Sequence, residues 1–136
     1  MYPEELIAPM REELTNAGFA EAKTSEDVEN SIKQDGTTLV VVNSVCGCAA
    51  GSARPAAKMA LQNDKTPDRS ITVFAGNDVD AVNTARKWMA PFPPSSPAMA
   101  LFKNGELVHM IERHHIEGRP AEVIADNLKD AFSEFC

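Results

Sequence analysis

The chain has 136 residues, the size of one ordinary domain, with 43% apolar and 24% charged residues. Its net charge of −7 opposes binding to nucleic acid or to an anionic membrane by general attraction. No window approaches the ~20 apolar residues of a membrane span, and MYPEELIAPM lacks the basic start and apolar stretch of a secretory signal. The expected location is therefore the cytoplasm, where thiols stay reduced.

One domain spanning residues 1–136 is expected, because no repeat, low-complexity tract or dividing linker interrupts the chain. From about Pro3 to Ala17, Leu6, Met10 and Leu14 recur every four residues and predict one helical face. Pro9 should kink or split that helix, and Gly18 should end it. FAEA is short and fits an edge strand. TSEDVENSIKQ carries a capping Thr24 or Ser25, acids in its first turn, and Val28 and Ile32 on one face, which predicts a second helix.

Asp35-Gly36 turns the chain into TLVVVN (Thr38 to Asn43), a continuous run rich in β-branched residues. Such a run suits a central parallel strand buried on both faces. A helix is predicted from about Cys48 to Gln62, with Gly51 and Pro55 as weak points. SITVFA (Ser70 to Ala75) reads as another buried strand. DVDAVNTARKWMA reads as a helix capped by Asn77 or Asp78, with Val79, Val82 and Met89 aligned and Trp88 filling core. PFPPSSP cannot continue it. In AMALFKNGELVHMI, Asn104-Gly105 separates two strand-like runs and suits a type I′ hairpin turn. The last helix should run from about Arg119 to Phe135, burying Ala121, Ile124, Ala125, Leu128 and Phe132. Strands alternating with helices predict an α/β fold with helices on both faces of a parallel sheet; the hairpin adds an antiparallel edge.

Three cysteines, Cys46, Cys48 and Cys136, are too few and too odd in number for a structural disulfide framework. Cys46-Gly47-Cys48 is open to three readings: redox exchange, a metal site, or inert packing. Zinc sites usually space paired cysteines by two to four residues, not one. Cys46 falls near the start of the helix that follows the central strand, where unpaired N–H groups and the helix dipole favour a thiolate. One unit below the free-thiol pKa of ~8.5 needs only about 1.4 kcal/mol, so Cys46 is expected to be partly ionised at neutral pH. A Cys46–Cys48 disulfide is feasible, with Gly47 tolerating unusual dihedrals. So small a ring should be strained and easily reduced, which suits passing a thiol group on. The small residues Ala49 to Ala53 either admit a bulky disulfide substrate or pack tightly on the sheet.

The element order, the cysteine pair after the central strand and PAMALFKNGELV resemble the thioredoxin fold. In that family a cis-proline faces the cysteines, and Pro97 matches it. TTLVVVNSVCGCAAGSARPA, ALFKNGELVHMIERHHIEGR and the terminal Phe-Cys are similar, nearly end to end, to the bacilliredoxin family. The resemblance implies removal of the small thiol bacillithiol from mixed disulfides on other proteins, with Cys46 as nucleophile; the adduct on Cys46 is then resolved by Cys48, the expected resolving thiol, or by a second small thiol. It implies bacillithiol as co-substrate, no bound cofactor or metal, and three partners: bacillithiolated or disulfide-bonded proteins, a low-molecular-weight thiol and a recycling reductase. Substrate contacts are expected from Gly47, Ser96, Pro97, Arg113 and His114, with Arg113 or His114 meeting the carboxylates of bacillithiol or stabilising the Cys46 thiolate. Two features depart from ordinary thioredoxins. The motif is one residue shorter, and LVVVN carries no buried aspartate; Asn43 is polar but cannot act as a base.

Rival readings are a general disulfide isomerase or reductase, and a non-enzymatic module holding a metal through Cys46 and Cys48. His114 and His115 could equally form a solvated loop; on extended chain they should point to opposite faces and not share a metal ion. His109 reads as structural, Arg54 as a surface residue or an anion contact, and Pro55 as a helix-kinking proline. Cys136 could meet an adduct only if the tail folds back.

Overall fold

The computed structural model describes residues 1–136. At its centre, β2 (Thr37–Asn43) is buried at every position. It pairs in parallel with β3 (Arg69–Phe74) on one side and antiparallel with β4 (Ala98–Lys103) on the other, so that Val41 lies between Thr72 and Met99. The two-residue β1 (Ala20–Glu21) joins β3 in parallel at one edge, and β5 (Glu106–Ile111) joins β4 at the other. The result is a mixed five-stranded sheet in the order β1-β3-β2-β4-β5.

Alternation along β2 feeds two cores. Leu39 and Val41 pack against α1 (Glu4–Thr15), α3 (Arg54–Ala60) and α6 (Ala121–Phe135). Val40 and Val42 pack against α2 (Ser25–Ile32) and α4 (Val79–Trp88). Both faces are covered, so the strand needs no polar alternation, and each buried aliphatic side chain contributes roughly 1.5–3 kcal/mol. The hairpin turn is as expected, with Asn104 at φ 51° and Gly105 at φ 81°, the signs a type I′ turn requires. Thr24 caps α2 by accepting the Asp27 N–H at 3.1 Å, and Val28 and Ile32 are fully buried.

Two helical faces differ from expectation. In α1 the buried face is Ile7, Arg11 and Leu14, while Leu6 is 52% exposed. Pro9 does not split the helix. It sits on the exposed side, where water can solvate the carbonyl freed by its missing N–H. In α4, Ala81, Val82 and Ala85 are buried while Val79 is 52% exposed.

One contact accounts for both rotations. Arg11 donates from Nη1 and Nη2 to the two carboxylate oxygens of Asp78, each at 2.8 Å, and both side chains are buried. Asp78 also accepts the Phe74 N–H at 3.0 Å, so it caps the end of β3 rather than its own helix. The Arg11 guanidinium lies 5.3 Å from the centre of the Phe74 ring. Hydrogen bonding to Asp78 holds its pKa above the ordinary arginine value despite burial.

The chain ends against the opposite end of β2 from Cys46. α6 runs unbroken to Phe135, and Cys136 donates its N–H to the Phe132 carbonyl at 2.8 Å. Its thiol lies near Thr37, the first residue of β2. Seven residues of strand span about 23 Å, so a tail packed this way does not fold back to Cys46.

Truncating Asp78 to alanine removes the buried partner of Arg11 and leaves the cation only the more exposed carboxylates of Glu4 at 3.2 Å and Glu21 at 3.6 Å, with the Phe74 N–H also unpaired. Urea unfolding of Asp78→Ala should show a loss of about 3 kcal/mol; a loss below about 1 kcal/mol would mean the pair is solvated. Burial pushes the Cys136 thiol above its ordinary pKa. In the disulfide form Cys136 is the sole free thiol, so alkylation rate against pH reads it directly. The midpoint should lie above the free-thiol value of ~8.5; a midpoint below it would contradict this packing.

Candidate active site

β2 ends at Asn43, and Ser44 and Val45 carry the chain to the cysteines. This corner is tied down from three directions. Asn43 Oδ1 accepts the Ser44 N–H at 2.9 Å and Arg54 Nη1 at 3.0 Å, and Asn43 Nδ2 donates to the Met10 carbonyl at 3.1 Å. Arg54 also donates to the Ser44 carbonyl at 2.9 Å and to Glu13 at 2.7 Å. Arg54 is 4% exposed. The expectation of a surface arginine is therefore corrected: the start of α3 packs over the end of the sheet, and the cation is neutralised by Glu13 on α1.

The helix after the cysteines begins helically at Gly47, and the Cys46 carbonyl accepts the N–H groups of Ala49 and Ala50 at 2.9 and 3.2 Å. It then widens into a π segment, Ala49–Ala53, closed by the Arg54 N–H bonding to the Ala49 carbonyl. Pro55 lies one residue beyond; it has no N–H, and its ring crowds the carbonyl four residues back, that of Gly51. Gly51 and Pro55, the weak points in the sequence, thus coincide with this widened turn.

Cys46 and Cys48 are joined as a disulfide, with their Cα atoms 5.3 Å apart. Both are partly exposed, and Gly47 between them is exposed. Gly47 does not adopt a positive φ, so unusual dihedrals are not its role in this form. No atom lies within 4 Å of where a Cβ would stand, and its contribution is an open approach.

Two donors converge on one of the two sulfurs. The Cys48 N–H and Arg113 Nη2 each lie 3.3 Å from Cys46 Sγ. Arg113 opens α5 (Arg113–Ile116), a single helical turn where the sequence predicts a polar connection. Four residues are too short to show periodicity. Arg113 is aimed by further bonds: Nη1 to the Ser96 carbonyl at 3.1 Å, Nε to Glu117 at 3.3 Å, and its N–H to Ser95 Oγ at 3.3 Å. The Ser96–Pro97 peptide is cis, and Pro97 is buried beneath Ser96 at the start of β4.

Cys46, Ser96 and Arg113 line a cavity of about 420 Å³; Gly47, Cys48, Pro97 and His114 do not. Tyr2 and Arg86 also line it, and no sequence motif marked either. His114 points away into solvent, its side chain 69% exposed and 3.8 Å from Glu112. His114 and His115 do not point to opposite faces. Helical backbone brings their ring centroids to 4.0 Å, and Glu112, His114 and His115 each offer a ligand atom within 4.8 Å of the others. These three are a geometrically possible metal-ligand set. His109 bonds Asn127 on α6 at 2.6 Å, a structural contact between hairpin and helix.

An accessible sulfur facing two N–H donors, with a second sulfur in bonding range, is what thiol–disulfide exchange requires. The family model described as "Disulphide isomerase" matches residues 2–136. A bacilliredoxin of Cytophaga hutchinsonii is 58% identical over 98% of this chain and 99% of its own. A bacilliredoxin of Halalkalibacterium halodurans is 53% identical over 99% and 94%, and one of Staphylococcus aureus 47% over 100% and 94%. Among solved structures, oxidised thioredoxin of Plasmodium falciparum gives a TM-score of 0.58 at 13% identity, covering 85% of this chain and 99% of its own. Reduced thioredoxin of Schistosoma mansoni gives 0.59 at 20% identity, covering 85% and 96%. The fold is thioredoxin-like, and the chain belongs to the bacilliredoxin family of thiol-disulfide oxidoreductases.

Proposed function

We propose that the protein removes bacillithiol from mixed disulfides on other proteins, with Cys46 as nucleophile and Cys48 as resolving thiol. The convergence of Arg113 and the Cys48 N–H on Cys46 Sγ supports the choice of nucleophile. In the reduced pair the same donors would face a thiolate, with the helix start adding to their effect. The names of the relatives support the substrate.

The Cys46 thiolate attacks the bacillithiol sulfur of the mixed disulfide. The disulfide bond between the client sulfur and the bacillithiol sulfur breaks, the client leaves as a thiolate and takes up a proton, and Cys46 carries the bacillithiol. The Cys48 thiolate then attacks Cys46 Sγ, bacillithiol leaves as a thiolate, and the pair becomes the disulfide seen here. The pair has lost two electrons, which a recycling reductase returns. Cys136, at the far end of β2, takes no part. These steps suit a reducing compartment, the cytoplasm; no helix is long and apolar enough to cross a membrane.

The family description favours one other reading, in which the same chemistry serves general disulfide isomerisation. A bacillithiolated protein presented to Cys46→Ala and Cys48→Ala variants separates the roles by mass. Cys48→Ala should trap one bacillithiol on Cys46, and Cys46→Ala should acquire none. An adduct confined to Cys48 reverses the assignment, and renaturation of a scrambled protein without any release of bacillithiol supports the isomerase. Removing the Arg113 contact should slow client release about tenfold at neutral pH, the equivalent of one pKa unit, with Arg113→Lys recovering part of the rate. An unchanged rate in Arg113→Ala would contradict its role.

A further inference from the structure

The cavity beside Cys46 holds a second arginine. Arg86 comes from α4, on the other face of the sheet from the helix that carries the cysteines. Each of the two buried arginines has a carboxylate partner: Arg11 has Asp78, and Arg54 has Glu13, whereas Arg86 is half-buried. Arg86 has none. Its Nε is fully buried without a hydrogen-bond partner, the one such side-chain atom in the protein. Burial alone pulls its pKa below the ordinary arginine value, with no neighbouring acid to oppose it. A cation left this way is costly unless something else meets it.

The cavity is built to admit an anion. No acidic residue lines it, although the chain as a whole carries a net charge of −7. One wall is fixed by Tyr2. Its N–H and carbonyl both bond the Asn77 side chain at 2.9 Å, and its ring stands 2.9 Å from where a Cβ on Gly76 would be. Gly76 therefore has to be glycine for the wall to close, and its φ of 94° requires the same. About 420 Å³ is the volume of a small-molecule site rather than of a peptide groove.

We propose that Arg86 binds a carboxylate of the small thiol in the mixed disulfide, so that the cavity selects carboxylate-bearing thiols over neutral ones. This deepens the exchange reading above and rests on it. Arg113 holds the reacting sulfur, and Arg86 holds the far end of the thiol that is removed. Arg86 does not touch the reacting atoms, so it governs selectivity and not the chemical step.

The test compares one carrier protein capped with bacillithiol and the same carrier capped with 2-mercaptoethanol, which has no carboxylate. Release of the carrier thiol is followed in single turnover with the reduced wild type, Arg86→Gln and Arg86→Lys. The wild type should prefer the bacillithiol adduct. Arg86→Gln should lose that preference about tenfold, the worth of one hydrogen bond to a charged group, with the mercaptoethanol rate within about twofold of wild type. Arg86→Lys should retain part of the preference. Succinate, at constant ionic strength, should slow the bacillithiol adduct in the wild type, a readout that does not depend on any variant folding. Equal wild-type rates on the two adducts, an unchanged preference in Arg86→Gln, or indifference to succinate would each overturn the proposal while leaving exchange intact. No release from either adduct by the wild type would overturn the exchange reading and this proposal with it.

Discussion

The position of the Cys46 sulfur depends on a buried cation. Arg54 links the end of β2, the loop before the cysteines and α1, through Asn43, Ser44 and Glu13. Without that knot the corner after Asn43 would have unpaired polar groups in a dry place, and the helix after it would lose its registration on the sheet. The cost of burying Arg54 is offset by Glu13 and two acceptors at hydrogen-bond distance. The site is therefore rigid on the side of the protein and open on the side of the substrate, where Gly47 faces solvent. β2 carries no carboxylate, and the side chain at its end is Asn43, which cannot act as a base.

Charge is distributed with the same logic. In an acidic chain, the cavity that holds Cys46 is lined by two arginines, Arg113 and Arg86, and by no acid. Elsewhere buried arginines are matched with carboxylates. A guanidinium beside a thiolate stabilises it, and the same positive charge would draw a carboxylate-bearing thiol. The two effects would reinforce each other.

Much of the scaffold was legible in the sequence because its signals are local. β2 shows as an apolar run, and the hairpin shows because only residues such as Asn104 and Gly105 accept positive φ in succession. The cysteine pair is legible for the same reason: its chemistry lies within three residues. What was not legible is carried by partners far apart in the chain. Arg11 meets Asp78 across 67 positions, Arg54 meets Glu13 across 41, and Arg113 meets Cys46 across 67. No periodicity marks such pairs, so Arg54 reads as surface and Asp78 reads as a helix cap. Val79 reads as buried for a related reason, since its true orientation follows from where Asp78 turns. The adjacent histidines mislead because α5 is a single turn, too short to distinguish from an extended loop.

The proposed exchange requires that the surroundings of Cys46 favour its thiolate without help from the Cys48 side chain. A protein carrying Cys48→Ala and Cys136→Ser retains one thiol, whose ultraviolet thiolate absorbance can be titrated without interference. The account predicts a midpoint clearly below the free-thiol value of ~8.5. A midpoint at or above that value would contradict it, because Arg113 and the helix start would then contribute nothing to the nucleophile.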